Sequence, residues 1–485
     1  MTHRAAPAMA ITPAPATKLE PDAIGLAQDT VIGMAESAPT VTIGLTLASL
    51  AAVAAYGSGP VLLLTAIPML IIANGYRRLN LWQANCGASF EWVGRSINPY
   101  LGFMTGWLMI AAYIIGAVST VVVMGPTVLA IFNANTSSAE ANLVIACGIA
   151  LVMLVIAIVG IRITARTQVG IAVVEYIIFL GIAIAGLVAV LNHHPGTFPI
   201  TKGWFSLSGI GGRGDLVAGL LISVYIYSGW EGTLYVNEEV KHRHRNPGRA
   251  AIIAVILLTV IYIVAMVGLQ GVVSPARLQA HSTTALVYTA QALGGASWAR
   301  AMAFALALSV IACTLTGIVL GARIVYGMAS HRTLPVFLAN VSPRFRTPVG
   351  ASIAVGVLVI VLTAVYLLAT SVQDAFSAVV AVDGLLFASF YILTAVATIV
   401  YYRRRCFSNA WDSIVLGILP LASAIFLTWI VVKSVAAAPT SEKWSIVGIV
   451  AAGLVLMLAA RFVLRSSFFQ TPRESDPGRT SAHRA

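Results

Sequence analysis

Four carboxylates fall inside apolar stretches that are long enough to cross a membrane: Glu36, Glu175, Glu231 and Asp383. A charged side chain at that depth is costly, so each is a candidate for binding a solute, a cation or a proton. A buried carboxylate can exchange a proton near neutral pH, as carboxylates in membrane pumps do. The structural alternative for each is pairing with an arginine or with backbone in a wet crevice.

Two of these acids lie where helix-breaking residues interrupt an apolar run. Glu36 lies in the sequence GMAESAP and Glu231 in the sequence YSGWEGT. Gly and Pro disfavour a continuous helix, so both runs are predicted to break near their middle. Broken backbone at membrane depth must line a polar cavity, because lipid cannot satisfy its N–H and C=O groups. These groups predict a binding site for a small solute, formed by Gly33, Ala35, Glu36, Ser37, Ala38, Tyr227, Ser228, Gly229, Trp230 and Glu231.

The other two acids are candidates for ion coupling. Glu175 lies about nine residues, or roughly 13 Å of helix, past Arg166, and Asp383 lies equally far past Asp374. Their depths are mirror images if the two helices cross in opposite directions. Hydroxyl groups of Thr314 and Thr316 could ligate sodium together with backbone carbonyls. Proton coupling by Glu175 and Asp383 is the favoured interpretation, with sodium coupling and ion-independent exchange as alternatives.

The amino-acid composition indicates that these helices lie in a membrane. The chain has 485 residues, of which 59% are hydrophobic and only 9% charged, and its mean hydropathy is +0.91. Soluble domains carry roughly 25% charged residues, so a water-soluble fold is excluded. We predict an all-α polytopic protein with twelve membrane-spanning helices, because twelve apolar runs approach the span length of about 20 residues. The four cysteines and eight histidines show no metal-binding or catalytic spacing, so neither an enzyme nor a cofactor is expected.

The charges predict the orientation. The net charge of +12 comes from 29 Lys and Arg against 17 Asp and Glu, and most of the basic residues fall in alternate connections between spans. Basic residues collect on the cytoplasmic side, so both termini are predicted to be cytoplasmic, in an integral protein of a bacterial inner membrane. The basic balance therefore gives no reason to expect nucleic acid. The other connections hold only Lys202, Arg213, Arg277, Arg300, Lys433 and Lys443.

The two predicted breaks divide the chain into similar halves. A transporter domain over 25–466 would contain repeat one at about 25–192, repeat two at about 213–403 and two further helices at about 410–465. Flexible cytoplasmic tails are expected at 1–24 and 467–485. Paired interruptions in corresponding helices are typical of an inverted-repeat (5+5) carrier with its substrate site at the midplane.

Three segments resemble the amino acid, polyamine and organocation permease superfamily, which has the leucine-transporter fold. They are the inner-loop sequence GASFEWVGRSINPYLGFMTG, the sixth-helix sequence YSGWEGTLYVNEEVKHRHRNP and the eighth-helix sequence ARIVYGMASHRTLPVFLANVSPRFRTP. The resemblance implies backbone amides at the first break that hold a substrate carboxylate. It also implies a coupling site at about Glu175, where some proton-coupled relatives carry a lysine. Here Glu36 stands within the first break, so it must be neutral, turned away, or paired with a cationic group of the substrate.

The expected function is secondary-active uptake of an amino acid or closely related amine by alternating access, coupled to protons. The alternatives are a polyamine or amine carrier, an ion-independent exchanger and, more remotely, a non-transporting membrane sensor, which would be expected to carry a soluble signalling domain. Trp230, Tyr225 and Tyr227 are candidates for an aromatic gate or for packing. The expected partners are a small-molecule substrate, a proton or a sodium ion, and the lipid bilayer.

Overall fold

The computed structural model describes residues 18–132, 134–207, 210, 213–281, 284–369 and 372–476, which form a bundle of helices. Within these ranges the only β-type pairing is one isolated parallel bridge between Ile24 and Val240. The first half of the chain forms α1 (Leu26–Ser37), α2 (Pro39–Ala54), α3 (Ser58–Trp82), α4 (Ser89–Ser96), α5 (Pro99–Val121), α6 (Met124–Ile131), α7 (Ala139–Val159) and α8 (Ile161–Leu191). The second half forms α9 (Arg213–Ile226), α10 (Asn246–Gln270), α11 (Pro275–Ala280), α12 (Ala285–Ser330), α13 (Val349–Ala369), α14 (Val372–Tyr401), α15 (Arg403–Cys406), α16 (Ala410–Ser413), α17 (Leu419–Ala437) and α18 (Thr440–Leu458).

Ten helical stretches of the described chain are long and apolar enough to span a membrane, and the difference from the predicted twelve has a structural cause. The first stretch, Leu26–Trp82, has 57 residues. At 1.5 Å per residue it is far longer than the hydrocarbon layer is thick, so it holds the first two predicted spans. The sixth predicted span is absent from the ten because α9 has only 14 residues before the helix breaks. The prediction of an all-α polytopic fold is confirmed.

Both predicted helix breaks are present. The first lies at Ala38, which has left-handed backbone angles (φ 44°, ψ 63°) between α1 and α2. Pro39 has no N–H to donate to the carbonyl of Ala35, and its ring disfavours the right-handed conformation at the residue before it. The second break follows the end of α9, where Gly229 has φ +105° and a 3-10 turn, Trp230–Leu234, replaces the α-helix.

The long helix α12 contains a kink that separates a peripheral part from the span. It has 46 residues, but the backbone is non-helical at Gly294 and Gly295, where Gly295 has φ +73°. A positive φ of this kind favours glycine, which has no Cβ to clash with the preceding turn. The part of α12 after the kink contains Thr314, Thr316 and the start of the eighth-helix segment singled out in the sequence.

One end of the bundle, which we call the arginine-rich face, is formed by α4, the segment 237–245 and α15. A buried ion pair closes it: the Arg323 guanidinium donates to both carboxylate oxygens of Glu239, at 3.0 and 3.1 Å, and neither side chain is exposed. Beside this pair, the N–H groups of Ala23 and Ile24 donate to the Glu239 carbonyl, and the Lys241 N–H donates to the Ile24 carbonyl. Ala23 and Ile24, which precede α1, are therefore hydrogen-bonded to the segment that follows the sixth-helix break.

The segment after α18 packs against the same face. Phe468 is buried and stacks on Phe90 of α4, with ring centroids 4.3 Å apart. Glu474 pairs with Arg95 at 2.8 Å. These contacts were not anticipated by the prediction of a flexible tail at 467–485, because Phe468 and its neighbour are only a short apolar pair in a polar sequence. Residues 1–17 and 477–485 of the two predicted tails lie outside the described residues.

A charged cluster on α4 stabilises the arginine-rich face. Glu91 is buried and contacts both His331, at the end of α12, and Arg95, at 2.9 Å. Burial acts to raise the pKa of Glu91, but the hydrogen bond and charge of His331, together with Arg95, outweigh it and lower the pKa below its ordinary value. The ionised form of Glu91 is thus the one that holds α4 to α12.

Candidate substrate site

The two helix breaks touch each other, backbone to backbone, and Gly229 permits the contact. A Cβ atom built on Gly229 would lie 2.6 Å from the Ser37 nitrogen and 2.8 Å from the Glu36 carbonyl carbon. No side chain other than hydrogen fits between the two chains at that separation. The residues predicted at the two breaks are therefore assembled into one locus.

A second glycine brings the first half-helix against the 3-10 turn. A Cβ atom on Gly33 would lie 2.7 Å from Thr233 Cγ2 and 2.9 Å from the Trp230 carbonyl oxygen. Of its neighbours in the predicted set, Ala35 is buried and Ala38 is the kink residue itself. None of these three residues lines the cavity that lies between the breaks.

A small cavity lies where the breaks meet, with a volume of about 20 Å³. A space of this size holds little more than one water molecule. Five helical elements contribute to its wall: the first-helix break, α5, the end of α9, α12 and α14. The lining residues are Glu36, Ser37, Thr42, Gly116, Thr120, Tyr225, Ser228, Gly229, Cys313, Asp383 and Phe387.

Two carboxylates face this cavity without a full set of partners. Glu36 is 8% exposed and Asp383 is 1% exposed. Among the described residues, no donor reaches Glu36 Oε2 or Asp383 Oδ1. The Asp383 carboxylate lies against α5, 3.3 Å from where a Cβ of Gly116 would be. Both side chains line the cavity, so its wall contains two acids.

The structure gives Glu231 a different environment. Its carboxylate is fully buried and accepts hydrogen bonds from Tyr113 Oη at 3.0 Å, Tyr391 Oη at 2.5 Å and the Gly229 N–H at 3.2 Å. These donors connect the 3-10 turn to α5 and α14. Both oxygens are thus engaged inside the protein, and Glu231 does not line the cavity with Glu36.

The three aromatic candidates, Trp230, Tyr227 and Tyr225, also differ in whether they line the cavity. Trp230 is fully buried, stacks on Tyr391 with centroids 5.5 Å apart, and makes an edge contact with Tyr76 at 5.2 Å. Tyr227 points toward α10, where its hydroxyl donates to Thr259 Oγ1 at 3.1 Å. Only Tyr225 lines the cavity. Trp230 and Tyr227 thus pack within the bundle, which was the structural alternative for them.

The predicted ion-coupling residues do not form one site. Glu175 on α8 is buried and faces the side chains of Thr40, just after the first break, and Ser309 on α12. Thr316 faces Glu36, whereas Thr314 is two residues away on the same helix and its hydroxyl has no partner among the described residues. Positions two apart on a helix point to different sides, so the two threonines are not brought together.

Several site residues were missed by sequence reasoning. Cys313 contributes its thiol to the cavity wall and donates to the Glu36 carbonyl oxygen at 3.3 Å. Phe387 and Thr120 complete the wall, and nothing in their local sequence separates them from ordinary core residues. Asp29 is fully buried with both carboxylate oxygens unpaired within the described chain. It lies seven residues before Glu36, on the same side of α1, but it does not line the cavity and is not part of the site.

Comparison with known proteins identifies a family and sequence relatives of the chain. A family model described as amino acid permease matches residues 26–458. The chain is 24% identical over 289 residues to the vacuolar cationic amino acid transporter 4 of Arabidopsis thaliana, which covers 56% of this chain and 47% of that protein. It is 30% identical over 138 residues to the Asc-type amino acid transporter 1 of Mus musculus, which covers 28% of this chain and 26% of that protein. Both matches thus span less than half of the relative's length.

Among solved structures, the chain is similar to a manganese transporter of Eremococcus coleocola crystallised with an aromatic bis-isothiourea substituted compound. The TM-score is 0.59 at 15% sequence identity, and the match covers 91% of this chain and 95% of that chain. A single-residue mutant of the same transporter gives a TM-score of 0.60 at 14% identity, with the same coverage of both chains. At this level of identity the likeness shows a shared fold, which extends over nearly the whole chain.

Proposed function

The chain belongs to the amino acid permease family and has the leucine-transporter fold, and from this premise we propose that it carries an amino acid or a closely related amine across a membrane by alternating access. The family and the similar proteins are transporters rather than enzymes. The observation that carries the proposal is the contact between the two helix breaks around a polar cavity, made possible by Gly229.

The closed arrangement supports an alternating-access cycle. The cavity is too small for a solute larger than water, so binding requires one half of a broken helix to move. The Arg323–Glu239 pair and the Ile24–Val240 bridge hold the chain near the sixth-helix break at the arginine-rich face. We propose that this face is cytoplasmic, following the distribution of basic residues, and that these contacts open when substrate leaves toward the cytoplasm.

The two halves of the chain would move as inverted repeats. The breaks at Ala38 and Gly229 would interrupt the first helix of repeat one, at about 25–192, and of repeat two, at about 213–403. Broken helices at corresponding positions are how such carriers place a binding site at the midplane. The helices over about 410–465 lie outside both repeats in this scheme.

Proton coupling is assigned to Glu175 in this proposal. Its carboxyl group lies off the substrate cavity, between Thr40 of the first broken helix and Ser309 of α12. A change in its charge would alter the packing of α2 on α12 and so bias the opening of the cavity. Sodium coupling remains the alternative, through Thr316 beside Glu36.

Uptake by purified protein in liposomes tests the proposal. Wild-type protein should accumulate a labelled substrate when the outside is more acidic than the lumen, with potassium in place of sodium on both sides. Glu175→Gln should abolish this pH-driven accumulation while leaving substrate binding measurable by thermal shift. Glu442→Gln, which changes a partly exposed glutamate in the first turn of α18 that does not line the cavity, is the control and should accumulate like wild type.

Two results would contradict the proposal at different levels. Unchanged pH-driven accumulation in Glu175→Gln would remove Glu175 as the coupling group. Absence of flux for every amino acid and amine tested, with a folded protein, would contradict transport itself.

A further inference from the structure

We infer that Glu36 and Asp383 together form an ammonium-binding site, and that the substrate carries a net positive charge. This inference rests on the proposed function and narrows it to one chemical class: a cationic amino acid or an amine without a carboxylate. It differs from the prediction made from the sequence, which placed Glu36 and Glu231 together in the substrate site and assigned Asp383 to ion coupling.

The charge balance of the cavity is the first argument. Of the four acids predicted at membrane depth, only Glu36 and Asp383 line the cavity, and each has an oxygen without a partner among the described residues. The lining residues include no Lys, Arg or His. Within the described chain, neither acid forms an ion pair. Two buried negative charges without compensation are unfavourable, so a cation must neutralise them when the acids are ionised.

The environment of Glu231 is the second argument. Three donors, from Tyr113, Tyr391 and the Gly229 backbone, already occupy its carboxylate. Glu231 is therefore hydrogen-bonded within the sixth-helix break, whereas Glu36 and Asp383 face the cavity. A zwitterionic solute would place a third carboxylate beside Glu36 and Asp383, whereas a net cation reduces the charge.

The kind of cation follows from the other groups. The described residues contain no cluster of three or more His, Cys, Asp or Glu side chains able to hold a metal ion. The wall instead presents hydroxyl groups of Thr42, Thr120 and Tyr225, together with the Phe387 ring. An ammonium group has three donors, which suit carboxylate and hydroxyl oxygens, and an attached carbon chain suits the ring.

Binding to purified full-length protein tests this assignment independently of flux. Melting temperatures would be measured against putrescine, lysine, leucine and manganese chloride, in a potassium buffer free of sodium and of organic amines. Putrescine or lysine, or both, should stabilise the protein at concentrations where leucine and manganese do not. Stabilisation by putrescine alone would identify an amine without a carboxylate, and stabilisation by lysine alone would identify a cationic amino acid.

Variants make the test specific to the two acids. Glu36→Gln and Asp383→Asn should each weaken binding of the cation on the order of 10- to 100-fold, the usual range for one charged hydrogen bond. Asp29→Asn removes an equally buried carboxylate of α1 that does not line the cavity, and it should leave the ratio of cation to leucine affinity unchanged. If Asp383→Asn does not fold, Asp383→Glu keeps the charge and should bind the cation more tightly than leucine.

The outcomes separate this inference from the proposed function. Binding of leucine as tight as that of the cations, with both cavity variants unchanged, would overturn the ammonium site. Tight manganese binding that both variants lose would overturn the organic cation and assign the acids to a metal. Selective cation binding without any flux in liposomes would support the site and contradict transport.

Discussion

Substituting Gly229 by alanine tests the contact on which the substrate site depends. The added Cβ would lie 2.6 Å from the Ser37 nitrogen and 2.8 Å from the Glu36 carbonyl carbon, both backbone atoms that cannot rotate away. Overpacking of this kind costs about 1–3 kcal/mol. The backbone at φ +105° adds about 1–2 kcal/mol for any residue with a Cβ. We therefore expect Gly229→Ala to lower the free energy of unfolding by about 2–5 kcal/mol.

The assay is denaturant unfolding of purified protein in detergent micelles, followed by tryptophan fluorescence, with uptake measured in parallel. Gly219→Ala is the matched control, because Gly219 lies in the helical part of α9 and a Cβ there would meet Val53 and Val61 at an ordinary 3.5 Å. Alanine is favoured over glycine in a helix by about 0.5–1 kcal/mol, so the control should be neutral or stabilising. Equal stability of the two variants would refute the close approach of the breaks.

Three further predictions concern polar contacts. Tyr391→Phe removes the 2.5 Å hydrogen bond to the sixth-helix carboxylate and should cost about 1.5–3 kcal/mol in unfolding measurements, whereas no loss would mean that this hydroxyl does not hold the break. Arg323→Met leaves Glu239 buried and unpaired and should cost about 3–5 kcal/mol, most of which the double variant with Glu239→Leu should recover; no recovery in the double variant would contradict a simple pair. The contacts of Glu91 lower its pKa, so the stability that they add is present above the ordinary glutamate pKa and is lost as the pH falls through the lowered value. Glu91→Gln should therefore flatten the acid side of a plot of melting temperature against pH. An unchanged plot would contradict the contact with His331.

The fold could be predicted from the sequence to a large extent, because the membrane restricts what an apolar chain can do. Run length gave the spans, and the Gly and Pro residues around Glu36 and Glu231 gave both breaks at the positions where the structure has them. The packing of residues 466–476 could not be predicted, since one buried phenylalanine, Phe468, in a polar segment has no periodic pattern.

The roles of the acids were harder to predict than their positions. The positions of Glu231 and Asp383 within long apolar runs predicted that both are buried. Position along a helix does not tell which side of the helix a residue faces. That orientation decides that Glu231 meets Tyr113 and Tyr391 while Asp383 faces the cavity. The partner tyrosines lie 118 and 160 residues away in the sequence, so only the packed structure identifies them.

Substrate protection of Cys313 tests the central claim most directly, because its thiol lines the cavity between the two breaks. A variant would keep Cys313 and replace the other three cysteines, Cys86, Cys147 and Cys406, by alanine. Its rate of modification by a small methanethiosulfonate reagent, which forms a mixed disulfide with the thiol and releases methanesulfinate, would be measured in liposomes, with and without a transported solute. We expect Cys313 to be modified as the protein cycles, and saturating substrate to slow that modification several-fold. A modification rate unaffected by a solute that the same liposomes accumulate would place the binding site elsewhere.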